Sequence, residues 1–280
     1  FMETTGIAGF RLDAVKHIDS FFMRNFIRDI KEKYGQDFYV FGEFWNPDKD
    51  ANLEYLDKIE ERFDLVDVRL HMNLFEAGQA GADYDLRTIF NDSLIQIKPD
   101  KAVTFVENHD TQRGQALEST VEEWFKPAAY ALILLREHGL PCVFYGDYYG
   151  ISGQYAQQDF KEVLDHLLAI RKDLAYGEQT DYFDDPNCIG WVRSGADNQA
   201  PLAVLISNAQ DNYKTMFVGP EWADHTFVDP SLRGQGVAGK LLDALVKDMA
   251  EQNKKIIATC SYVVKKFQED SSFDFINAEK

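Results

Sequence analysis

Five short apolar runs alternate with helical patterns over residues 7–174, and no other feature constrains the fold as strongly. The runs occupy residues 7–15, 38–45, 65–70, 102–106 and 142–145. The helical patterns are one capped by Asp19 and running to Tyr34, one carrying Leu53, Leu56 and Ile59, one near Val121–His138 and one near Asp159–Leu174. Strands separated by helices pair in parallel through right-handed crossovers. The sequence therefore predicts an α/β fold built on a parallel sheet.

Two further patterns follow this alternating region. From about Asp181 the strand-like runs 189–192, 202–207 and 215–218 have no helices between them, which predicts a small antiparallel β appendage. After about residue 225 come a strand, a Gly-rich loop, a helix and a strand over Ile256–Val264. The apolar stripe of that helix is predicted to consist of Leu241, Leu242, Leu245, Val246 and Met249. We divide the chain into residues 1–178, 179–226 and 227–280.

Charge and composition exclude several function classes. The net charge is −18, the opposite of what a free nucleic-acid or acidic-membrane binder needs, whereas an uncharged polymer such as a glycan is compatible with it. The longest apolar run, residues 128–135, is too short to span a membrane. The three cysteines show no metal-ligand spacing, which favours reduced thiols in a cytoplasmic chain. None of these features indicates an oligomeric state.

Three motifs stand at the carboxyl ends of predicted strands: GFRLDAVKH over 9–17, FGEFW over 41–45 and FVENHD over 105–110. In a parallel αβ barrel that end of the strands carries the chemistry, so Asp13, Glu43 and Asp110 are expected to converge there. Paired carboxylates suit glycosidic cleavage, in which one attacks and the other donates a proton. Arg11 places a fixed cation beside Asp13, and the aromatic neighbours of Glu43 suit a general acid. Taken singly, each residue also fits a helix cap, a plain ion pair or a core histidine.

Together the motifs resemble the three later catalytic motifs of the α-amylase family of glycoside hydrolases. The steps of 30 residues from Asp13 to Glu43 and of 67 residues from Glu43 to Asp110 are similar to those of the bacterial liquefying type. The resemblance continues through residues 118–120, 124–127 and 143–147 and covers roughly residues 1–228. It implies a hydrolase that cleaves α-1,4-glucosidic bonds within starch- or glycogen-type glucans and retains the configuration.

The resemblance also implies residue roles. Asp13 is expected to be the nucleophile and Glu43 the general acid and then the base. Asp110 is expected to bind and distort the sugar at the cleavage point. The implied substrate contacts are Arg11, which also orients Asp13, and Lys16, His17, Trp45 and His109.

This sequence departs from the family in its scaffold. The resemblance implies strands four to eight of a (β/α)8 barrel, without the first three strands and the family's first motif. Calcium is the family's metal, and only the main-chain carbonyl of His17 remains from its expected ligands. We therefore expect a sheet with open edges and an exposed core face, and a catalytically incomplete fragment remains an alternative.

The C-terminal segment resembles a second family. The pattern Arg233-x-x-Gly236-x-Ala238, within residues 225–267, is similar to the pyrophosphate loop of GNAT acetyltransferases. The resemblance implies that acetyl-CoA is held by residues of this loop: Arg233, Gly234, Gln235, Gly236, Val237, Ala238, Gly239 and Lys240. The alternative function is therefore acetyl-CoA-dependent N-acetyl transfer. In the other interpretation these glycines only turn the chain. The two resemblances meet near residues 226–229 without a linker, which predicts a join of two gene fragments.

Overall fold

The computed structural model describes residues 2–196, 198–210, 212, 214–218, 237–251, 255–256 and 261–278. These residues form two compact units, residues 1–216 and 217–280. The helices and strands of the first unit are α1 (Met2–Thr5), β1 (Gly9–Leu12), α2 (Ser20–Tyr34), β2 (Tyr39–Gly42), α3 (Lys49–Lys58), β3 (Asp64–Val66), α4 (Val68–Ala80), α5 (Leu94–Ile97), β4 (Ala102–Phe105), α6 (Lys126–Leu134), β5 (Leu140–Cys142), α7 (Tyr145–Tyr149), α8 (Lys161–Leu174), β6 (Gln179–Asp185), β7 (Cys188–Arg193) and β8 (Leu202–Ser207).

Strands β1 to β5 form one parallel sheet in sequence order, which confirms the predicted α/β half-barrel. Helix α2 begins after Asp19, whose Oδ1 accepts the Phe22 amide at 2.8 Å, and it ends at Gly35. Both helix boundaries agree with the sequence prediction. Helix α6 is shorter than predicted, since it begins only at Lys126 and ends at Leu134.

Two strand predictions were partly wrong. The run 65–70 leaves the sheet after Val66 because Asp67 caps helix α4, its Oδ1 accepting the Leu70 amide at 3.0 Å. The run 142–145 belongs to the sheet only at Cys142, since strand β5 starts at Leu140 and the chain turns into α7 at Tyr145.

In the described part of the chain, helices cover one face of the sheet, and on the other face the centre is buried at Val66 and Phe105 while the outer strands are open. Leu65 and Val40 lie in the main core with helix residues such as Ile27. On the other face Tyr39 and Leu140 remain 38% and 47% exposed. Within the described residues, β1 pairs only with β2 and β5 only with β4. These observations agree with the expected open edges and exposed core face.

The appendage is an antiparallel sheet of β6, β7 and β8. Strand β6 was missed by the sequence analysis, and residues 214–218 contain no strand, so the predicted run 215–218 was wrong. The fully buried Trp191 donates its indole N–H to the Leu135 carbonyl at 3.3 Å. The Arg136 guanidinium makes two bonds of 2.8 Å to the Asp181 carboxylate. These contacts fix the appendage to the half-barrel.

The second unit contains helices α9 (Val237–Glu251) and α10 (Ser261–Glu269). Its core is built from Leu242, Val246, Val263, Phe267 and Ile276. Leu241 and Leu245 are 45% and 43% exposed, so the predicted apolar stripe was only partly correct.

The strand predicted over Ile256–Val264 was also wrong in its second half. Residues 261–264 are helical, and Ile256 makes only an isolated parallel bridge to Asn277. The proposed pyrophosphate loop over 233–236 lies outside the described residues. The remaining predicted CoA contacts, residues 237–240, form the first turn of α9.

Candidate active site

A single guanidinium bridges the two carboxylates that the sequence singled out. Leu12 at the end of β1 pairs with Gly42 at the end of β2, so Asp13 and Glu43 leave the sheet at the same level. Nη1 of Arg11 lies 3.1 Å from Oδ1 of Asp13, and Nη2 lies 3.2 Å from Oε2 of Glu43. The structure thus brings the predicted nucleophile and the predicted acid/base together at the carboxyl edge of the sheet.

Glu43 is buried, whereas Asp13 is open. The Glu43 side chain is 7% exposed and that of Asp13 is 75% exposed. The residue before Glu43 is Gly42, where a Cβ would lie 2.7 Å from the Phe63 ring in the core. Oε2 of Glu43 faces two donors, Nη2 of Arg11 at 3.2 Å and the Ala14 amide at 3.1 Å. The sequence analysis assigned Arg11 to Asp13 alone and missed its second partner.

The backbone is strained within the first motif. Ala14 adopts the left-handed conformation, with φ 46° and ψ 40°, which costs a non-glycine residue about 1–2 kcal/mol. In this conformation its amide points at Glu43, and the chain then enters a single 3₁₀ turn over Val15–His17. Such strain concentrates at functional sites, where the surrounding structure holds it in place.

The predicted substrate contacts lie around this turn. Nζ of Lys16 donates to the carbonyl of Trp45 at 3.2 Å, which ties the first motif to the second. His17 is exposed. Trp45 is half-buried, with its ring 6.1 Å from the Phe105 ring and 6.0 Å from the His71 ring. The rings of Phe105 and His71 therefore support the Trp45 ring.

His71 is a neutral structural histidine that the sequence analysis did not consider. Its ring stacks on Phe105 at 5.0 Å, and burial lowers its pKa to about 4. Nδ1–H donates to the Val106 carbonyl at 2.8 Å, and Nε2 then accepts from the Ser119 hydroxyl at 2.7 Å. Both ring nitrogens have partners, so His71 supports Trp45 and the end of β4.

Asp110 lies on a turn after β4 and pairs with its neighbour. Nε2 of His109 lies 3.3 Å from Oδ2 of Asp110, and both side chains are open to solvent, at 58% and 35%. Within the described residues no hydrogen bond or ion pair joins Asp110 to Asp13 or Glu43. The third predicted carboxylate therefore stands at the same sheet edge without contacting the other two.

A buried charge cluster lies directly behind that turn. Nζ of Lys126 is 2.5 Å from Oδ1 of Asp147 and 3.0 Å from Oε2 of Glu107, and all three side chains are fully buried. Asp147 also accepts the Tyr130 hydroxyl at 2.6 Å. Burial raises the pKa of Glu107 to about 7, while the Lys126 charge opposes the shift. The sequence analysis noted the segments that hold these residues but not their pairing.

The described residues offer no side-chain cluster for calcium, and the main-chain carbonyl of His17 remains a predicted ligand. Among them, no group of three or more His, Cys, Asp or Glu side chains is placed to hold a metal ion. In the same described part of the chain, no helix is long and apolar enough to cross a membrane.

Comparison with known proteins assigns the half-barrel to a family. The model of the alpha-amylase catalytic domain matches residues 1–195. The chain belongs to the alpha-amylase family. A second model, GCN5-related N-acetyl-transferase, matches residues 212–276 of this alpha-amylase family chain. Both resemblances drawn from the motifs are thereby confirmed.

The curated relatives of this alpha-amylase family chain are longer proteins. It is 45% identical over 231 residues to a glucan 1,4-alpha-maltohexaosidase of Bacillus sp. (strain 707), covering 82% of this chain and 44% of the relative. It is 44% identical over 237 residues to the cytoplasmic alpha-amylase of Escherichia coli K12, covering 81% and 48%. The chain thus spans less than half the length of these relatives.

Solved structures agree on the fold. A cyclic alpha-maltosyl-(1→6)-maltose hydrolase from Arthrobacter globiformis aligns with a TM-score of 0.53 at 23% identity, covering 73% of this chain and 49% of that one. An alpha-amylase from Geobacillus thermoleovorans aligns with the same TM-score at 22% identity, covering 70% and 48%.

Proposed function

We propose that the half-barrel hydrolyses α-1,4-glucosidic bonds within starch- or glycogen-type glucans and retains the anomeric configuration. The observation that carries this proposal is the Arg11 guanidinium bridging Asp13 and Glu43 at the carboxyl edge of the sheet. Identity of about 45% to a maltohexaosidase and to alpha-amylases supports the substrate class. The E. coli relative is described as cytoplasmic, which supports the same location here.

The two carboxylates take complementary roles in this proposal. Asp13 is exposed and faces the sheet edge, so its carboxylate attacks the anomeric carbon and forms a glycosyl ester. Glu43 donates a proton to the departing glycosidic oxygen in that step. Its carboxylate then takes a proton from the water that hydrolyses the ester.

The remaining predicted residues bind the glucan. Asp110 and His109 are partly or largely exposed on their turn, and their polar atoms suit sugar hydroxyls. Lys16 and His17 lie on the 3₁₀ turn that follows Asp13, and we assign them to the sugar of the leaving group. Trp45 offers a ring that Phe105 and His71 hold in place.

The direct test is the release of reducing ends from soluble starch by the 280-residue chain, with the first product anomer read by proton NMR. We expect the α-anomer first, because two inversions at one carbon retain configuration. A β-anomer would contradict a retaining mechanism. No release at all would leave the catalytically incomplete fragment as the better description.

The C-terminal unit supports a second candidate, acetyl-CoA binding with N-acetyl transfer. The observation favouring it is the match of the acetyl-transferase model over residues 212–276. We propose that the CoA pyrophosphate is held by the glycine-rich loop before α9, and that the functional boundary lies near residue 227. Calorimetry with acetyl-CoA should show binding that the substitution Gly236→Glu removes. Equal binding of acetyl-CoA by the parent chain and by Gly236→Glu would exclude the loop as the binding site.

A further inference from the structure

The turn that carries His109 and Asp110 is held by backbone hydrogen bonds from residues 117 and 119 and by its own side chains. Oδ1 of Asn108 accepts the amides of Asp110 and Thr111, both at 2.9 Å. In the other direction, the backbone amide of Asn108 donates to Oγ1 of Thr111 at 2.9 Å. Residues 108 and 111 therefore close the turn from both ends, and the two proposed sugar contacts stand at its corner.

Besides the chain itself, a side-chain hydrogen bond connects this turn to the buried charge cluster. Oγ1 of Thr111 donates to Oε1 of Glu107 at 2.8 Å, and both residues are buried. The other carboxylate oxygen of Glu107 lies 3.0 Å from Nζ of Lys126 on α6. Lys126 in turn contacts Asp147 on α7. The turn is thus linked through Thr111 and Glu107 to two helices behind the sheet.

The link can survive a change in the charge of Glu107. One cation serves two buried carboxylates in this cluster, and the pKa of Glu107 is raised to about 7. The Thr111 hydroxyl has a second, longer acceptor in the Asn108 carbonyl at 3.4 Å. It can therefore donate to the Glu107 carboxylate, or accept from the protonated acid while turning towards Asn108.

We propose that Glu107 is a positioning residue of the glucan site, which holds the turn bearing His109 and Asp110 through the Thr111 hydroxyl. Glu107 does not touch substrate in this account. It fixes the backbone from which Asp110 reaches the sugar. The binding of sugar by Asp110 rests on the proposed function. The holding of the turn by Glu107 does not depend on it.

The test removes the connecting hydroxyl alone. Thr111→Val keeps the side-chain shape and leaves Lys126 with both carboxylates, and Thr111→Ser restores the hydroxyl. Thr104→Val is the matched control, because Thr104 is a fully buried threonine of β4 whose hydroxyl has no hydrogen-bond partner. Glu107→Gln keeps a polar partner for Thr111 and serves as a second probe should the valine variant fold poorly.

The first readout is amide hydrogen exchange at residues 110 and 111, with amides of α2 reporting global opening. We expect exchange at the turn to rise about tenfold or more in Thr111→Val, and to stay near the parent rate in Thr111→Ser, Glu107→Gln and Thr104→Val. The second readout is glucan hydrolysis, where kcat should fall about 10- to 100-fold in Thr111→Val with a smaller change in KM.

The outcomes separate the two proposals. Unchanged exchange at the turn in Thr111→Val overturns the positioning role, as does a serine variant that behaves like valine. A rise of tenfold or more in Glu107→Gln also overturns it, because the polar link is retained there. Should the parent chain release no sugar while exchange responds as expected, the proposed function fails and the positioning role stands.

Discussion

Replacing Glu43 by Gln should lower glucan hydrolysis by about 10²–10⁴-fold, the usual contribution of a positioned general acid or base. Gln has the same shape, so the amide of Ala14 keeps an acceptor and the fold is preserved. The lost functions are the proton for the departing oxygen and the base for the water. The rate of reducing-end release from starch, compared at matched folded concentration, measures the effect.

Glu60→Gln is the control for this substitution. Glu60 also contacts two arginines, Arg24 at 3.1 Å and Arg62 at 2.5 Å, but it precedes β3 and so lies at the opposite edge of the sheet. Its loss of charge should leave the rate unchanged. A Glu43→Gln variant that retains the parent rate would remove Glu43 from the mechanism.

Replacing Lys126 by Met should be the most damaging change to stability in the half-barrel. Met fills the space of the lysine stem but leaves Glu107 and Asp147 fully buried without their cation. Breaking a buried ion pair in this way costs about 3–5 kcal/mol. Chemical denaturation at pH 8 measures the loss in the free energy of unfolding. Lys161→Met, which removes a solvent-exposed pair with Asp165, should have no measurable effect.

The destabilisation caused by Lys126→Met should be smaller at acidic pH. The folded pKa of Glu107 is raised to about 7 from its ordinary value of 4.5, so its contribution to stability is fully present below about 4.5 and is lost as the pH rises through 7. Removing Lys126 takes away the positive charge that opposes the rise in the pKa of Glu107. Protonation of Glu107 at low pH therefore restores more of the lost stability in the variant. We expect a smaller destabilisation at pH 5 than at pH 8. An equal loss in the free energy of unfolding at pH 5 and pH 8 would show that the missing charge of Lys126 does not cause the destabilisation.

The strand-end carboxylates were predictable because each motif directly follows an apolar run. The double contact of Arg11 was not, because it depends on the register that pairs Leu12 with Gly42, and no local pattern encodes that register. The buried cluster was missed for a related reason. Lys126 and Glu107 are residue types that are almost never fully buried unless they are paired, and the pairing is visible only in three dimensions.

The misplaced strands have local causes. Strand β5 begins earlier than predicted although it contains Pro141, because β5 is an edge strand in the described sheet and tolerates the missing amide. Residues 261–264 are rich in β-formers, yet they are helical because Val263 and Phe267, four residues apart, pack into the core of the second unit. Tertiary packing outweighs propensity in both cases.

A covalent bond between Asp13 and the glucan can be detected by mass spectrometry after treatment with a 5-fluoro-α-maltosyl fluoride. Such a reagent forms the glycosyl ester faster than the ester hydrolyses, so the intermediate accumulates. Trypsin then releases the peptide Leu12–Lys16, whose only carboxylate side chain is that of Asp13. We predict one fluoromaltosyl group on this peptide and none in Asp13→Asn. Starch hydrolysis without this label, or a label on another peptide, would contradict the assignment of Asp13 as the nucleophile.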